Sequence, residues 1–305
     1  MYVPIGGVEQ WIEIEGDDPT NPVLLFLHGG PGASSRPAAA AWRPWQRHFT
    51  LVHWDQRGTG RTLARNGEAG CGRLSLDRMI EDGLKVVEFL KRELHKDKIL
   101  LVAHSWGSIL GIHMAKRRPD LFSAYVGTGQ VVDMRRNEDI KYRTLLERAE
   151  SDGNREALEE LTKIGPPPHA GLDAMKILVR WADALARGEG DPVKPRPNPR
   201  SPDFTAEDGE WLMRGIGFSG GELFREIAAI DLTTLGTEFD LPIFFFQGTE
   251  DLLAPIALVE AYFSAIESPH KELVRFEDCH HFLVINRPDD FLRELLGRVR
   301  HVVDS

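Results

Sequence analysis

The chain is poor in cysteine. Only Cys71 and Cys279 occur in 305 residues, far apart and without metal-ligand spacing, so neither a disulfide framework nor a zinc site is indicated and both read as plain thiols. Long apolar runs are missing too. None approaches the roughly 20 residues that span a bilayer, which points to a soluble protein without a membrane partner. Met1 to Gln10 has neither a basic start nor an apolar stretch with a small-residue cleavage site, so no secretion signal is read and the cytoplasm is the expected location. An excess of positive charge is likewise absent. The 47 acidic against 37 basic residues give a net charge of -10, which argues against broad binding to nucleic acid and leaves small molecules or peptides as partners.

What is present is an alternation. Short apolar segments suited to buried strands recur at Val23 to Leu27, Leu51 to Trp54, Ile99 to Ala103, Ala124 to Val126, Ile243 to Gln247 and Glu272 to Phe276. Between them lie helical patterns. Over Leu76 to Leu94, the residues Met79, Ile80, Leu84, Val87, Leu90 and Leu94 form an apolar stripe at three- and four-residue steps. Strand, helix, strand as a repeating unit predicts an α/β fold with a mainly parallel sheet covered on both faces. Trp11, Ile12 and Ile14 fit an N-terminal hairpin at its edge. From 130 to 240 the character changes to amphipathic helical segments, Tyr142 to Ile164 and Leu172 to Ala186 among them. A helical cap inserted between two parts of one core, 1–129 and 241–305, is the domain division this implies. Within the insertion Pro192, Pro195, Pro197, Pro199 and Pro202 are too dense for a helix and predict an extended connection.

The predicted strand Ile99 to Ala103 runs into Ala103-His104-Ser105-Trp106-Gly107 and then a helical segment, Ser108 to Arg117. This is the strand, sharp turn and helix of the nucleophile elbow found in α/β-hydrolases, with Ser105 at the tip and small residues where strand and helix pack closely. Ala103 stands where glycine is usual. A serine hydroxyl needs a base and an orienting carboxylate, which this fold supplies later in the chain. The strand Ile243 to Gln247 leads into Gly248-Thr249-Glu250-Asp251, and the acid three residues after the glycine selects Asp251 over Glu250. Further on, Cys279-His280-His281 precedes Arg287-Pro288. A proline seven residues after the base is the usual spacing, and Pro288 selects His281 over His280. Two backbone N–H groups would hold the oxyanion: that of Trp106, and one from His28-Gly29-Gly30-Pro31-Gly32, assigned to Gly30. His28 itself reads as a structural hydrogen-bonding residue. No cofactor or metal is implied, because such a triad generates its own nucleophile.

Three strings taken together resemble the prolyl iminopeptidase family: His28-Gly29-Gly30-Pro31-Gly32, Asp55-Gln56-Arg57-Gly58-Thr59-Gly60-Arg61 and Ala103-His104-Ser105-Trp106-Gly107-Ser108. The resemblance implies an α/β-hydrolase core with a helical cap, and removal of an N-terminal residue from small peptides through an acyl-enzyme. It further implies cap glutamates that bind the substrate's free amino group. Glu207, Glu210, Glu222 and Glu226 are the candidates, with Glu222 first. In the same loop Asp55 and Arg57 suggest a structural ion pair. A carboxylesterase or amidase would use the same triad, and a catalytically silent binding protein would share only the fold. An epoxide hydrolase or haloalkane dehalogenase is disfavoured because those enzymes carry aspartate where this chain has Ser105.

Overall fold

The computed structural model describes residues 1–169, 171–186 and 201–303. Eight strands form one sheet: β1 (Tyr2–Ile5), β2 (Val8–Glu15), β3 (Val23–Leu27), β4 (Thr50–Asp55), β5 (Ile99–His104), β6 (Phe122–Thr128), β7 (Ile243–Gly248) and β8 (Lys271–Phe276). Their spatial order is β1-β2-β4-β3-β5-β6-β7-β8. The first two make the expected edge hairpin and run antiparallel to the rest, which are parallel. Alternate side chains of β3 and β5 point to opposite cores, with Leu25, Leu27, Leu101 and Ala103 on one side and Leu24, Phe26, Leu100 and Val102 on the other. Burial on both faces is why these strands read as unbroken apolar runs.

Helix α1 (Gly60–Cys71) follows β4, α2 (Leu76–Glu93) precedes β5, and α3 (Trp106–Arg117) follows β5. The predicted stripe of α2 buries Met79, Ile80, Val87 and Leu90 against the core, and Ser75 Oγ caps its first turn by accepting from the Arg78 N–H. Trp42, Trp45 and Trp54 are all core residues. Trp45 stacks on Phe291 with centroids 5.6 Å apart, and the Trp54 indole donates to Gln10 at 2.8 Å.

Between β6 and β7 lie α4 (Met134–Ser151), α5 (Arg155–Ile164), α6 (Leu172–Ala184) and α7 (Ala206–Ala228). The continuous helix expected over Tyr142 to Ile164 is in fact two. Asp152 and Gly153 end α4, with Gly153 at φ +63°, and Asn154 starts α5 by accepting from the Ala157 N–H. Tyr142, Leu145, Ala149, Leu161 and Leu178 pack α4, α5 and α6 around a second small core, which Leu252 joins from the turn after β7. Pro192, Pro195, Pro197 and Pro199 lie outside the described residues; Pro202 sits in a turn ahead of α7.

Helix α7 is tied down along its length. At its start Asp208 accepts from Arg36 Nη1 at 2.9 Å and Arg61 Nε at 3.0 Å, and the Arg36 side chain is only 2% exposed. Further along, the backbones of Gly215 and Gly32 meet so closely that a Cβ on Gly32 would lie 2.2 Å from the Gly215 carbonyl oxygen. Ser219 Oγ donates to the Gly58 carbonyl at 2.9 Å, and near the far end Glu226 accepts the Leu76 N–H at 2.6 Å. After β7 come α8 (Ile256–Ala265), β8, and the closing helices α9 (Leu283–Asn286) and α10 (Pro288–Glu294), which continue through a wider turn to Val303.

Candidate active site

Strand β5 delivers Ser105 to the sheet's carboxyl end, the side on which such sheets present their sites. Ser105 has φ +55° and ψ -121°, a conformation that L-residues avoid and that neighbouring bonds must impose. Those bonds are visible: the Ser105 N–H donates to Thr128 O at 3.1 Å, and its carbonyl accepts from the Ser108 N–H at 2.8 Å and Ser108 Oγ at 2.6 Å. Close approach sets the residue types nearby. A Cβ on Gly107 would lie 2.2 Å from the Leu27 carbonyl oxygen, and one on Gly129 would lie 2.8 Å from the His281 ring.

His281 Nε2 lies 2.8 Å from Ser105 Oγ, and its Nδ1 lies 2.9 Å from Asp251 Oδ2 and 3.1 Å from Oδ1. A carboxylate only accepts, so Nδ1 carries the proton and Nε2 is left to accept from the serine hydroxyl. Asp251 is itself held by four donors: the Leu253 and Ala254 N–H groups on Oδ1, Gln247 Nε2 on Oδ2, and the imidazole. Gln247 is pinned in turn, its Oε1 accepting the Gln130 N–H at 3.0 Å.

The competing residues occupy different places. His280 Nδ1 faces the Glu250 carbonyl at 3.1 Å, and the Glu250 carboxylate accepts from Arg148 of α4 at 2.8 Å. Cys279 is buried, with Arg287 Nη1 donating to its sulfur at 2.8 Å. His104, beside the nucleophile, is buried with its ring centroid 4.8 Å from that of His281; burial first, and then the neighbouring His281, hold its pKa well below the usual histidine range. It is neutral.

The predicted oxyanion residues flank Ser105. Trp106 opens α3, so its N–H belongs to a first turn whose donors have no acceptor within the helix. The His28–Gly32 loop lies against Ser105, since a Cβ on Gly29 would sit 3.1 Å from Ser105 Cβ. Gly30 is the exposed glycine of that loop. Glu207, Glu210 and Glu222 are exposed, and Glu226 is engaged with the α2 N-terminus. Asp55 and Arg57 do not pair with each other: Arg57 pairs with Asp82 of α2 at 2.7 Å, while Asp55 accepts from Ser34 Oγ at 2.5 Å and the Arg61 N–H at 2.8 Å. Gln247 and Gly129 escaped sequence reading. Only their positions, four residues before the acid and at the end of β6, could have pointed to them.

Fold and site together define a serine hydrolase of the α/β-hydrolase type. The chain belongs to the family described as serine aminopeptidase, S33, which matches residues 18–288. A probable aminopeptidase of Bacillus subtilis (strain 168), YbaC, is 32% identical over 309 residues, covering 97% of this chain and 95% of its own. A proline iminopeptidase of Lactobacillus delbrueckii subsp. lactis is 22% identical over 300 residues, covering 92% and 90%. Among solved structures, a proline iminopeptidase of Mycobacterium smegmatis superposes with TM-score 0.68 at 18% identity, covering 100% of this chain and 98% of the other. A proline iminopeptidase-related protein of Thermus thermophilus gives 0.66 at 22%, with the same coverage. These two show the shared fold.

Proposed function

We propose that this protein is an aminopeptidase of the proline iminopeptidase kind, removing the N-terminal residue of small peptides through a Ser105–His281–Asp251 triad. The observation that carries the reading is the unbroken hydrogen-bond chain from the Ser105 hydroxyl through His281 to Asp251. In the reaction, His281 Nε2 takes the hydroxyl proton as Ser105 Oγ attacks the scissile carbonyl, and the Gly30 and Trp106 N–H groups receive the developing oxyanion. The imidazolium gives its proton to the leaving amine. Water, deprotonated by the same nitrogen, then frees the acyl group. Helices α4 to α7 act as a cap over the site, and the aminopeptidase and proline iminopeptidase relatives support peptides as substrates.

An esterase or amidase activity is the second reading. It is favoured by the exposure of Glu207, Glu210 and Glu222, because a carboxylate that pairs with a substrate ammonium is worth little where water screens it. A panel of proline arylamide, alanine arylamide and a short-chain nitrophenyl ester, assayed with wild type and Ser105→Ala, tests both. Ser105-dependent cleavage of an arylamide that is lost when its amino group is blocked supports the aminopeptidase. Turnover of the ester alone makes the protein an esterase.

A further inference from the structure

The two oxyanion donors assigned above come from segments far apart in sequence, the loop after β3 and the first residue of α3. Their spacing matters because such donors stabilise the transition state only when both lie within about 2.7–3.1 Å of the developing charge. One side chain spans the two segments. Gln56, fully buried at the end of β4, accepts from the Trp106 indole Nε1 at 3.0 Å and donates from its own Nε2 to the His28 carbonyl at 3.3 Å. An indole N–H only donates and a carbonyl only accepts, so the orientation of the amide is forced. A third contact joins the same residues: the Gln56 main-chain N–H points at His28 Nε2 at 3.3 Å, while His28 Nδ1 lies 2.8 Å from the Gly29 carbonyl. Both contacts are satisfied by the neutral ring protonated on Nδ1. Burial supplies that state, lowering the His28 pKa to about 4.

We propose that Gln56 is a positioning residue for acyl transfer, clamping the Trp106 indole to the His28–Gly32 loop and so setting the distance between the two oxyanion donors. The inference rests on the Ser105 acyl-transfer reading. Gln56 reaches the reaction only through its partners. An apolar side chain would fill this buried position without needing any hydrogen bond, so the amide contributes a directional link beyond packing. The loop has little slack for a weaker link: Gly29 lies against Ser105 and Gly32 against Gly215.

The test uses Gln56→Met, which keeps length and apolar volume, and Trp106→Phe, which removes the indole N–H but keeps the backbone donor. The readouts are the rate of Ser105 labelling by a fluorophosphonate, which needs no knowledge of the natural substrate, and kcat and KM on whichever panel substrate turns over. Each variant is expected to slow labelling and lower kcat by about 10- to 100-fold, with KM within about 2-fold, in a protein that still unfolds cooperatively at a melting temperature lowered by the buried group left unpaired. The double variant is expected to be no slower than the slower single one, because both remove one bridge. Unchanged labelling in a folded Gln56→Met protein, an effect on KM alone, or multiplicative losses in the double variant would each overturn the proposal. Should Gln56→Met not fold, Trp106→Phe decides on the same rate and kcat criteria. Labelling that persists in Ser105→Ala would instead overturn the reading beneath it.

Discussion

His53 lies flat on Trp42, the ring centroids 5.4 Å apart and the planes 6° from parallel, with its Nδ1 3.1 Å from Ser35 Oγ. Burial lowers its pKa from 6.5 to about 4, and His28 behaves alike. Between these values the unfolded chain holds more protons than the folded one, so stability is full above pH 6.5 and is lost as pH falls toward 4. His104 acts in the same direction. Asp55 opposes them: burial raises its carboxyl from 3.8 to about 6, so the folded state holds the extra proton and gains stability as pH falls through that window. His28, His53 and His104 together outweigh Asp55, so stability is expected to fall as pH drops from 6.5 toward 4. Denaturant titrations at pH 7, 5.5 and 4.5 measure this fall, and His53→Phe is expected to make it shallower.

Asp251 and Glu250 are neighbours with separate duties. Asp251→Asn leaves the geometry but favours the wrong imidazole tautomer, and turnover is expected to fall about 10⁴-fold. Glu250→Gln weakens only the contact with Arg148, with an expected loss below about 10-fold. Similar losses in the two would reassign the acid.

Gly107→Ala drives a methyl into the Leu27 carbonyl oxygen. Overpacking at a backbone contact is expected to cost about 2–3 kcal/mol in denaturant titration and to depress activity by moving the elbow. Wild-type stability would mean that α3 shifts freely.

Arg36 bonds three carboxylates, those of Glu13, Asp203 and Asp208, and the last two differ greatly in exposure. Asp208→Ala leaves a buried guanidinium short of a partner and removes a helix cap, for an expected loss of about 3 kcal/mol. Asp203, 55% exposed, is expected to cost below about 1 kcal/mol when replaced by alanine. Equal losses would show that burial of the pair does not govern its contribution.

Much of this molecule was legible from local pattern. Strands such as Val23–Leu27 and Ile243–Gly248 announce themselves because burial on both faces demands continuous apolar residues. The meeting of Ser105, His281 and Asp251 is legible because each follows a strand in a stereotyped turn. The break after Ser151 was signalled by Asp152-Gly153-Asn154, yet the apolar period continuing through it masked the signal. Partners distant in sequence were not legible. Nothing near Arg57 names Asp82 as its counter-ion, and nothing near Gln56 names Trp106 as its donor. Those pairings follow from how β4 and β5 lie beside β3, a three-dimensional fact with no local trace. The exposure of Glu207, Glu210 and Glu222 was not legible for a similar reason, since the face a helix turns to solvent depends on what it packs against.

The clamps on α7 bear on how such an enzyme can diversify. A helix whose start is held by Arg36 and Arg61, and whose Gly215 rests on the loop beside Ser105, cannot be exchanged without disturbing the reaction centre. Helices α4, α5 and α6 share a second core that also takes in Leu252, next to Asp251, and Asn137 and Arg148 of α4 bond the Leu253 carbonyl and the Glu250 carboxylate. A graft that imports another relative's α4–α6 therefore has to carry over Asn137, Arg148 and the packing on Leu252, as well as Asp208 to Glu226, if the Asp251 turn is to stay where it is.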